Sequence, residues 1–122
     1  MTGRVPSDIA FTARVKGEQE RRGSRAQYQR MEEARGWAST ITPDLATLIG
    51  NVRSFYLATA NAEGQPYVQH RGGPKGFVRV LDERTLAFAD LRGNRQYLSL
   101  GNVSGDDRVA LIFVDYPNRT RL

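Results

Sequence analysis

The chain has 122 residues, a formal net charge of +5, one histidine and no cysteine. Its length and its 39% of hydrophobic residues predict a globular protein with a usable core. The lack of cysteine excludes disulfides and thiolate metal sites, and we assign no metal. The positive charge is divided between residues 1–36 and 37–122, which argues against a nucleic-acid partner. With no apolar run near the roughly 20 residues that cross a bilayer and no signal-peptide pattern, we expect a cytoplasmic protein without a membrane partner.

The first 36 residues predict an N-terminal lead followed by a helical arm. Residues 1–10 show no periodic pattern and predict an unstructured lead. From Phe11 to Arg35, oppositely charged residues recur at helical spacing, which indicates a helix that is weakened near Gly23. Its apolar residues are sparse, so two interpretations stay open: an arm that lies on the body or on a partner subunit, and a frayed solvated helix. We assign residues 37–122 to a second unit, which carries the ligand site.

A short helix opens the second unit. Thr42 is suited to the N-cap and Pro43 to the first helical position. Apolar residues then recur at the spacing of one helix face: Leu45, Leu48, Ile49 and Val52.

Strand-like segments follow, separated by tight turns. We predict strands over residues 54–60, 66–69, 76–81, 85–90 and 109–115, with a further strand starting at 119. The segment 109–115 is the most apolar and is predicted to be the central strand, and a short helix is predicted over 94–100. The fold class is therefore mainly β (α+β): an antiparallel barrel with N-terminal helices and one short helix after the fourth strand. Because four or five strands rarely close a barrel, either the barrel is incomplete at its C-terminal end or a partner subunit completes it.

Two basic, glycine-bearing segments stand out. The first glycine segment is 66–76 (PYVQHRGGPKG), and the second is 90–97 (DLRGNRQY), which leads into the predicted helix with Asn94 at its N-cap. Glycine-freed backbone N–H groups, helix N-termini and arginine side chains all bind phosphate. The pair therefore predicts a site for a phosphate-bearing ligand, with ordinary solvent-exposed loops as the alternative. His70 has no serine or cysteine partner in a catalytic pattern, so we assign no catalytic residue.

An ordered series of motifs resembles a known family. The segments GQPYVQHRGGPKGF (64–77), LAFAD (86–90), GNRQY (93–97) and FVDYPNR (113–119) are similar to those of the pyridoxamine 5′-phosphate oxidase-like flavin-binding proteins, the FMN-binding split barrels. The resemblance implies a split-barrel domain over residues 37–122, a homodimer with the flavin at the subunit interface, and a small-molecule redox substrate. It implies FMN as the cofactor, with a deazaflavin or haem as alternatives.

The resemblance also implies a set of cofactor-binding residues. The isoalloxazine ring would lie along the backbone from Val68 to Gly72, and the phosphate would be held from two sides, by Gln69, His70 and Arg71 and by Asn94, Arg95 and Gln96. Relatives often carry serine and lysine where this chain has Asn94 and Gln96, and the second replacement removes a charge. The implied function is a flavin-dependent oxidoreductase of unknown substrate; the alternative is a non-catalytic flavin-binding or stress-response module.

Overall fold

The computed structural model describes residues 4–89 and 95–122, and the chain divides into two compact units, Met1–Ile41 and Thr42–Leu122. Among the described residues, the first unit contains three helices, and the second contains two helices and seven strands. The predicted α+β fold, with antiparallel strands, N-terminal helices and a short helix after the fourth strand, is confirmed. Within the described residues the strands form three open sheets and no closed barrel, which is consistent with a split barrel. None of the helices in this part of the chain has the length and apolar character needed to span a membrane.

The N-terminal lead contains a helix that the sequence did not predict. Residues 1–10 were expected to be unstructured, but α1 spans Pro6–Ala10. Proline occupies the first turn, where its missing N–H costs nothing, and the Asp8 carboxylate accepts a hydrogen bond from the Val5 N–H at 2.8 Å. The Ser7 side chain is buried, and its hydroxyl oxygen accepts a hydrogen bond from the Trp37 N–H at 3.0 Å. These contacts involve residues up to 30 positions apart, which a local pattern does not reveal.

The predicted interruption of the arm at Gly23 is confirmed. Helix α2 spans Ala13–Arg22 and α3 spans Arg25–Ala34, and Gly23 between them has a φ of 84°, a left-handed conformation that glycine adopts readily. Arg25 joins the two helices, since its guanidinium donates to Gln19 of α2 and to Glu32 of α3. The buried Phe11 ring adds aromatic packing within this unit, with its centroid 5.7 Å from that of Tyr28 and 5.4 Å from that of Trp37.

The second unit begins with the predicted helix. Helix α4 spans Pro43–Asn51, and the Thr42 hydroxyl oxygen accepts a hydrogen bond from the Leu45 N–H at 3.3 Å, as expected of an N-cap. Of the predicted apolar face, Ile49 and Val52 are buried.

Seven short strands build the sheets of the second unit. Their bounds are β1 Ser54–Ala60, β2 Pro66–Gly72, β3 Val78–Asp82, β4 Thr85–Phe88, β5 Ala110–Ile112, β6 Val114–Asp115 and β7 Thr120–Arg121. One sheet has the order β2-β1-β5, while β3 pairs with β4 and β6 with β7; all pairs are antiparallel. Helix α5 spans Leu98–Gly105.

The core of this unit is centred on Phe55 of β1, which is 1% exposed. Its ring contacts three other phenylalanines, with centroids 5.8 Å from Phe77, 4.9 Å from Phe88 and 5.3 Å from Phe113. Burying rings of this size contributes about 1.5–3 kcal/mol each. Phe55 lies in β1 and Phe88 in β4, while Phe77 directly precedes β3 and Phe113 lies between β5 and β6. The four rings therefore connect all three sheets in one core.

Two predictions about strand and helix positions are wrong. Residues 109–115 are not one central strand: they form β5 and β6 in different sheets, and β5 is an edge strand next to a central β1. The break falls at the buried Phe113, whose backbone pairs with that of Leu122. The helix expected over 94–100 instead runs from Leu98 through Gly101 to Gly105. Its polar residues bond to the sheet, and these tertiary contacts outweigh the glycine stop signal.

Candidate functional site

Strand β2 carries the first glycine segment and presents two different faces. It extends from Pro66 to Gly72, so His70 and Arg71, expected beyond the strand end, lie within regular strand. Burial alternates along it: Tyr67, Gln69 and Arg71 are half-buried, and Val68, His70 and Gly72 are exposed. Residues directly opposite on neighbouring strands share a face. Arg71 lies opposite the buried Phe55, so the half-buried residues of β2 are on the core side of the sheet, which we call the inner face. His70 lies opposite Tyr56, so the exposed residues of β2 are on the other side, which we call the outer face.

The inner face holds a polar pair, Gln69 and Arg71. The Arg71 guanidinium donates to the Gln69 side-chain oxygen, with 3.4 Å between Nη2 and Oε1. The same guanidinium lies over the ring of Phe88, with Cζ 5.9 Å from the ring centroid, a cation–π contact. Phe88 is the last residue of β4. One residue, Ala89, separates it in sequence from the second glycine segment. The charged group of β2 therefore lies beside the end of β4.

Helix α5 is fixed to the sheet by two polar contacts. The buried Ser99 hydroxyl donates to the Gln69 Oε1 at 2.6 Å, which links α5 to β2. The Asn102 side-chain amide donates to the Thr59 hydroxyl oxygen at 3.0 Å, which links the same helix to β1. Since α5 directly follows Tyr97, the last residue of the second glycine segment, these contacts connect β2 to the helix at the end of that segment.

The second glycine segment is described only in part. Asn94 lies outside the described residues, as do residues 90–93. The described part, Arg95–Tyr97, is exposed, and both Arg95 (φ 62°) and Tyr97 (φ 57°) are left-handed. The N-cap of α5 is Tyr97, not Asn94 as predicted. Left-handed residues other than glycine are costly and collect at functional sites, so this backbone is a feature the sequence pattern did not reveal.

The outer face carries a row of aromatic side chains. The rings of His70 and Tyr56 meet edge to face, with centroids 5.3 Å apart. The hydroxyls of Tyr56 and Tyr116 are 3.4 Å apart, and this hydrogen bond raises the pKa of Tyr116 above its ordinary value. His70 is thus separated by the strand from Arg71 and belongs to a different chemical environment.

The glycines of the first segment have local structural roles. A Cβ at Gly73 would lie 2.7 Å from the Phe77 ring, so the side-chain-free backbone is required by core packing. Gly76 has a φ of 87°, which the turn before β3 requires. The contribution of this segment to a ligand site therefore rests on Gln69, Arg71 and the β2 backbone, and these two glycines are explained without a ligand.

A separate cavity of about 620 Å³ lies between α4, the start of β1 and the β6–β7 hairpin. None of the predicted cofactor residues in the described part of the chain lines it. It borders the end of β2, because Ser54 at its wall is paired with Gly72. Its polar and charged lining consists of Asp44, Thr47, Asn51, Arg53, Ser54, Asp115 and Tyr116.

Sequence reasoning missed Ser99 and Phe88 as partners of the predicted site residues. Ser99 stands in a polar stretch that was predicted to be a helix, and nothing in its spacing indicates a contact with a residue 30 positions away. Phe88 was placed correctly in a strand, but no contact with a site residue was predicted for it. The signal that could have found it is its position at the end of β4, where the chain enters a basic segment.

The second unit is an antiparallel α+β domain with open sheets, and it carries basic and amide side chains where β2 meets the helix after β4. This is the architecture of a split barrel. The family model described as pyridoxamine 5′-phosphate oxidase matches residues 41–122, and the chain belongs to this family. No curated protein matches the chain. A crystal structure of a tagged histidine-to-alanine variant of HupZ from Group A Streptococcus is similar, at 23% identity and a TM-score of 0.49. The match covers 66% of this chain and 62% of that chain.

Proposed function

We propose that this chain is an FMN-binding, flavin-dependent oxidoreductase that acts on a small-molecule substrate. The observation that carries the proposal is the Ser99–Gln69 hydrogen bond of 2.6 Å, which joins β2 to the helix that follows the second glycine segment. The first segment is thereby bonded to the helix that follows the second, as a phosphate held from both segments would require. Membership of the pyridoxamine 5′-phosphate oxidase family supports the same cofactor class.

The phosphate would be held on the inner side of β2. Arg71 and Arg95 bring two positive charges, and a phosphate monoester carries about −1.5 to −2 at neutral pH. Gln69, Gln96 and Asn94 would add neutral hydrogen-bond donors. Arg71 is half-buried, so its interaction with an anion is screened less than that of a fully exposed arginine. The residues present therefore fit the group, although Gln96 replaces a charged residue with a neutral one.

The isoalloxazine ring would lie along Val68–Gly72, at the edge of the β2-β1-β5 sheet. On the side of β2 away from β1, no strand of the described residues pairs with its N–H and C=O groups. The backbone of a strand at the edge of a sheet can offer donors and acceptors to the polar edge of a flavin ring. The exposed His70 would contact the ring or the substrate from the outer face, away from the phosphate.

The bound flavin supplies the hydride or electron transfer, and the protein supplies binding and orientation. Within this division, Arg71 and Arg95 neutralise the phosphate, Gln69 orients Arg71, and the β2 backbone aligns the ring. We assign no nucleophile and no general base to the chain.

A homodimer is part of the proposal, and the outer face of the β2-β1-β5 sheet is its interface. Val68 is 61% exposed and lies opposite the small Ala58, and Ile112 is 41% exposed and lies opposite Tyr56, both on this face. Isologous dimers bury one apolar patch from each subunit. A second copy against this face would also lie next to Val68–Gly72, which supports a flavin at the subunit interface.

Replacing Val68 with aspartate should convert the dimer into a monomer, because burying an unpaired carboxylate in an apolar interface is costly. Sedimentation velocity measures the change in mass. Leu81 on β3 gives a matched control, since it is also 61% exposed but lies in a different sheet. Leu81→Asp should leave the dimer intact; dissociation by both variants, or by neither, contradicts this interface.

The cofactor is tested by the visible spectrum of the purified protein and by the mass of any molecule released on denaturation. FMN, a deazaflavin and haem differ in both. A colourless protein that takes up none of the three would overturn the proposal. With FMN bound, anaerobic addition of NADH or NADPH should bleach the flavin spectrum. A flavin that no nicotinamide donor or candidate substrate reduces favours the non-catalytic binding module.

A further inference from the structure

We propose that Ser99 is a positioning residue for Arg71, acting through the side chain of Gln69. The inference rests on the proposed phosphate site, and it adds to that site a residue outside both glycine segments. Ser99 would not touch the cofactor. Its role would be to hold the arginine in the orientation that the phosphate needs.

The three side chains form a continuous hydrogen-bonded row. The Ser99 hydroxyl donates to the Gln69 Oε1 at 2.6 Å, and the Arg71 Nη2 donates to the same oxygen at 3.4 Å. Ser99 is 3% exposed, so water does not readily replace its hydroxyl as the donor. The Gln69 oxygen therefore has two donors, one from the helix and one from the strand.

This arrangement fixes which end of the Gln69 amide faces Arg71. An amide presents an acceptor on one side and two N–H donors on the other. With the Ser99 hydroxyl in place, the oxygen is held toward both donors, and the Arg71 guanidinium has an acceptor beside it. Without that hydroxyl the amide can rotate and present its N–H groups to the guanidinium, which moves Arg71 from its position over Phe88.

The benefit to binding is preorganisation. An arginine side chain loses rotamer entropy when it is ordered, and a binding site that already holds it avoids part of that cost. The row therefore predicts that loss of the Ser99 hydroxyl weakens only the part of cofactor affinity that depends on the phosphate.

The test compares FMN with riboflavin, which lacks the phosphate, by fluorescence titration of the apoprotein at full length. Ser99→Ala should weaken FMN binding by about 2- to 10-fold, the range expected for one hydrogen bond, and leave riboflavin binding unchanged. Ser99→Thr keeps the donor and should restore the preference for FMN. In an Arg71→Ala background, Ser99→Ala should have no further effect on that preference, because the two act as a unit.

Asn102→Ala is the matched control, since it removes the other hydrogen bond between α5 and the sheet without touching Gln69. It should leave the FMN-to-riboflavin preference at its wild-type value. If Ser99→Ala weakens both flavins equally, as a loosened helix would, the positioning role is overturned. The same holds if Ser99→Ala leaves the preference unchanged in a folded protein, as judged by circular dichroism. If the wild-type protein itself does not prefer FMN to riboflavin, the proposed phosphate site fails, and this inference fails with it.

Discussion

The two halves of the candidate site differ in how they are held. Gln69 and Arg71 lie in a seven-residue strand that pairs with β1 along its whole length, and their side chains contact Ser99 and Phe88. Arg95 and Gln96 are exposed, and Arg95 has a left-handed φ of 62°. The first half is regular backbone with half-buried side chains. The described part of the second half has exposed side chains and a left-handed backbone at Arg95.

This difference assigns separate roles to the halves. A side chain that is held before binding contributes affinity with little ordering cost. An exposed arginine loses rotamer entropy when it binds, and its charge is screened by salt. We therefore expect Arg71 to contribute more phosphate affinity than Arg95. In the described part of the second half, the left-handed backbone at Arg95 and Tyr97 is the distinguishing feature.

The largest effect is expected from Arg71→Ala. Removing a charge-assisted hydrogen bond to the phosphate should weaken FMN binding by about 1.5–3 kcal/mol, with little effect on riboflavin, as measured by fluorescence titration. His70→Ala is the comparison, because His70 is the neighbouring residue on the opposite face of β2. It should leave the preference for FMN over riboflavin intact. If His70→Ala removes as much of that preference as Arg71→Ala, the division of β2 into two faces does not describe the site.

A smaller effect separates side chain from backbone at Arg95. Arg95→Ala and Arg95→Gly both remove the guanidinium, so both should weaken FMN binding to a similar degree. Only glycine relieves the strain of the left-handed backbone, which costs other residues about 1–2 kcal/mol of folding free energy. Glycine also gains entropy in the unfolded chain, and that gain offsets about 0.5–1 kcal/mol of the relief. Urea unfolding should therefore find Arg95→Gly more stable than Arg95→Ala by about 0.5–1 kcal/mol. Equal stabilities would show that residue 95 is not strained in solution.

The sequence predicted best where local chemistry decides the structure. Thr42 and Pro43 define the start of α4 by a hydrogen bond and a fixed φ, both of which depend on adjacent residues only. Strand β1 was predicted with its observed bounds, because Phe55, Tyr56 and Thr59 are residue types that favour a strand. Gly23 was identified as a break in the arm because few other residues adopt its conformation.

Predictions failed where distant contacts decide the structure. The apolar run 109–115 was read as one central strand, but its backbone splits at Phe113 to join the core and to pair with Leu122. Helix α5 passes through Gly101 because Ser99 and Asn102 bond to β2 and β1. In the candidate site the residue types were predicted from the two segments, whereas the separation of Arg71 from His70 follows from the length of β2. That length depends on pairing with β1, which residues 66–72 do not reveal by themselves.

The smallest predicted effect concerns the loop directly after α5, outside both halves of the site. Arg108 donates to the Asp106 carboxylate through its side chain, at 3.0 Å from Nε and 2.7 Å from Nη2, and through its backbone N–H at 3.1 Å. These hydrogen bonds, the side-chain pair first, lower the pKa of Asp106 to about 2. Because the folded pKa is depressed, the contact is fully present above the ordinary pKa of 3.8 and is lost as the pH falls toward about 2.

Carboxyl titration by NMR measures this pKa, and Arg108→Ala should return it toward 3.8, the ordinary value for aspartate. Asp82 is the control, because its lowered pKa has the backbone N–H of Arg84 as its first cause, with Oδ1 2.8 Å from that nitrogen. Arg84→Ala keeps that donor and should keep the pKa of Asp82 low. An arginine-to-alanine substitution should therefore change the pKa of Asp106, which depends on a side-chain contact, and not that of Asp82, which depends on a backbone contact. If Asp106 keeps its low pKa in Arg108→Ala, the backbone N–H of residue 108 accounts for the shift and the exposed ion pair contributes little.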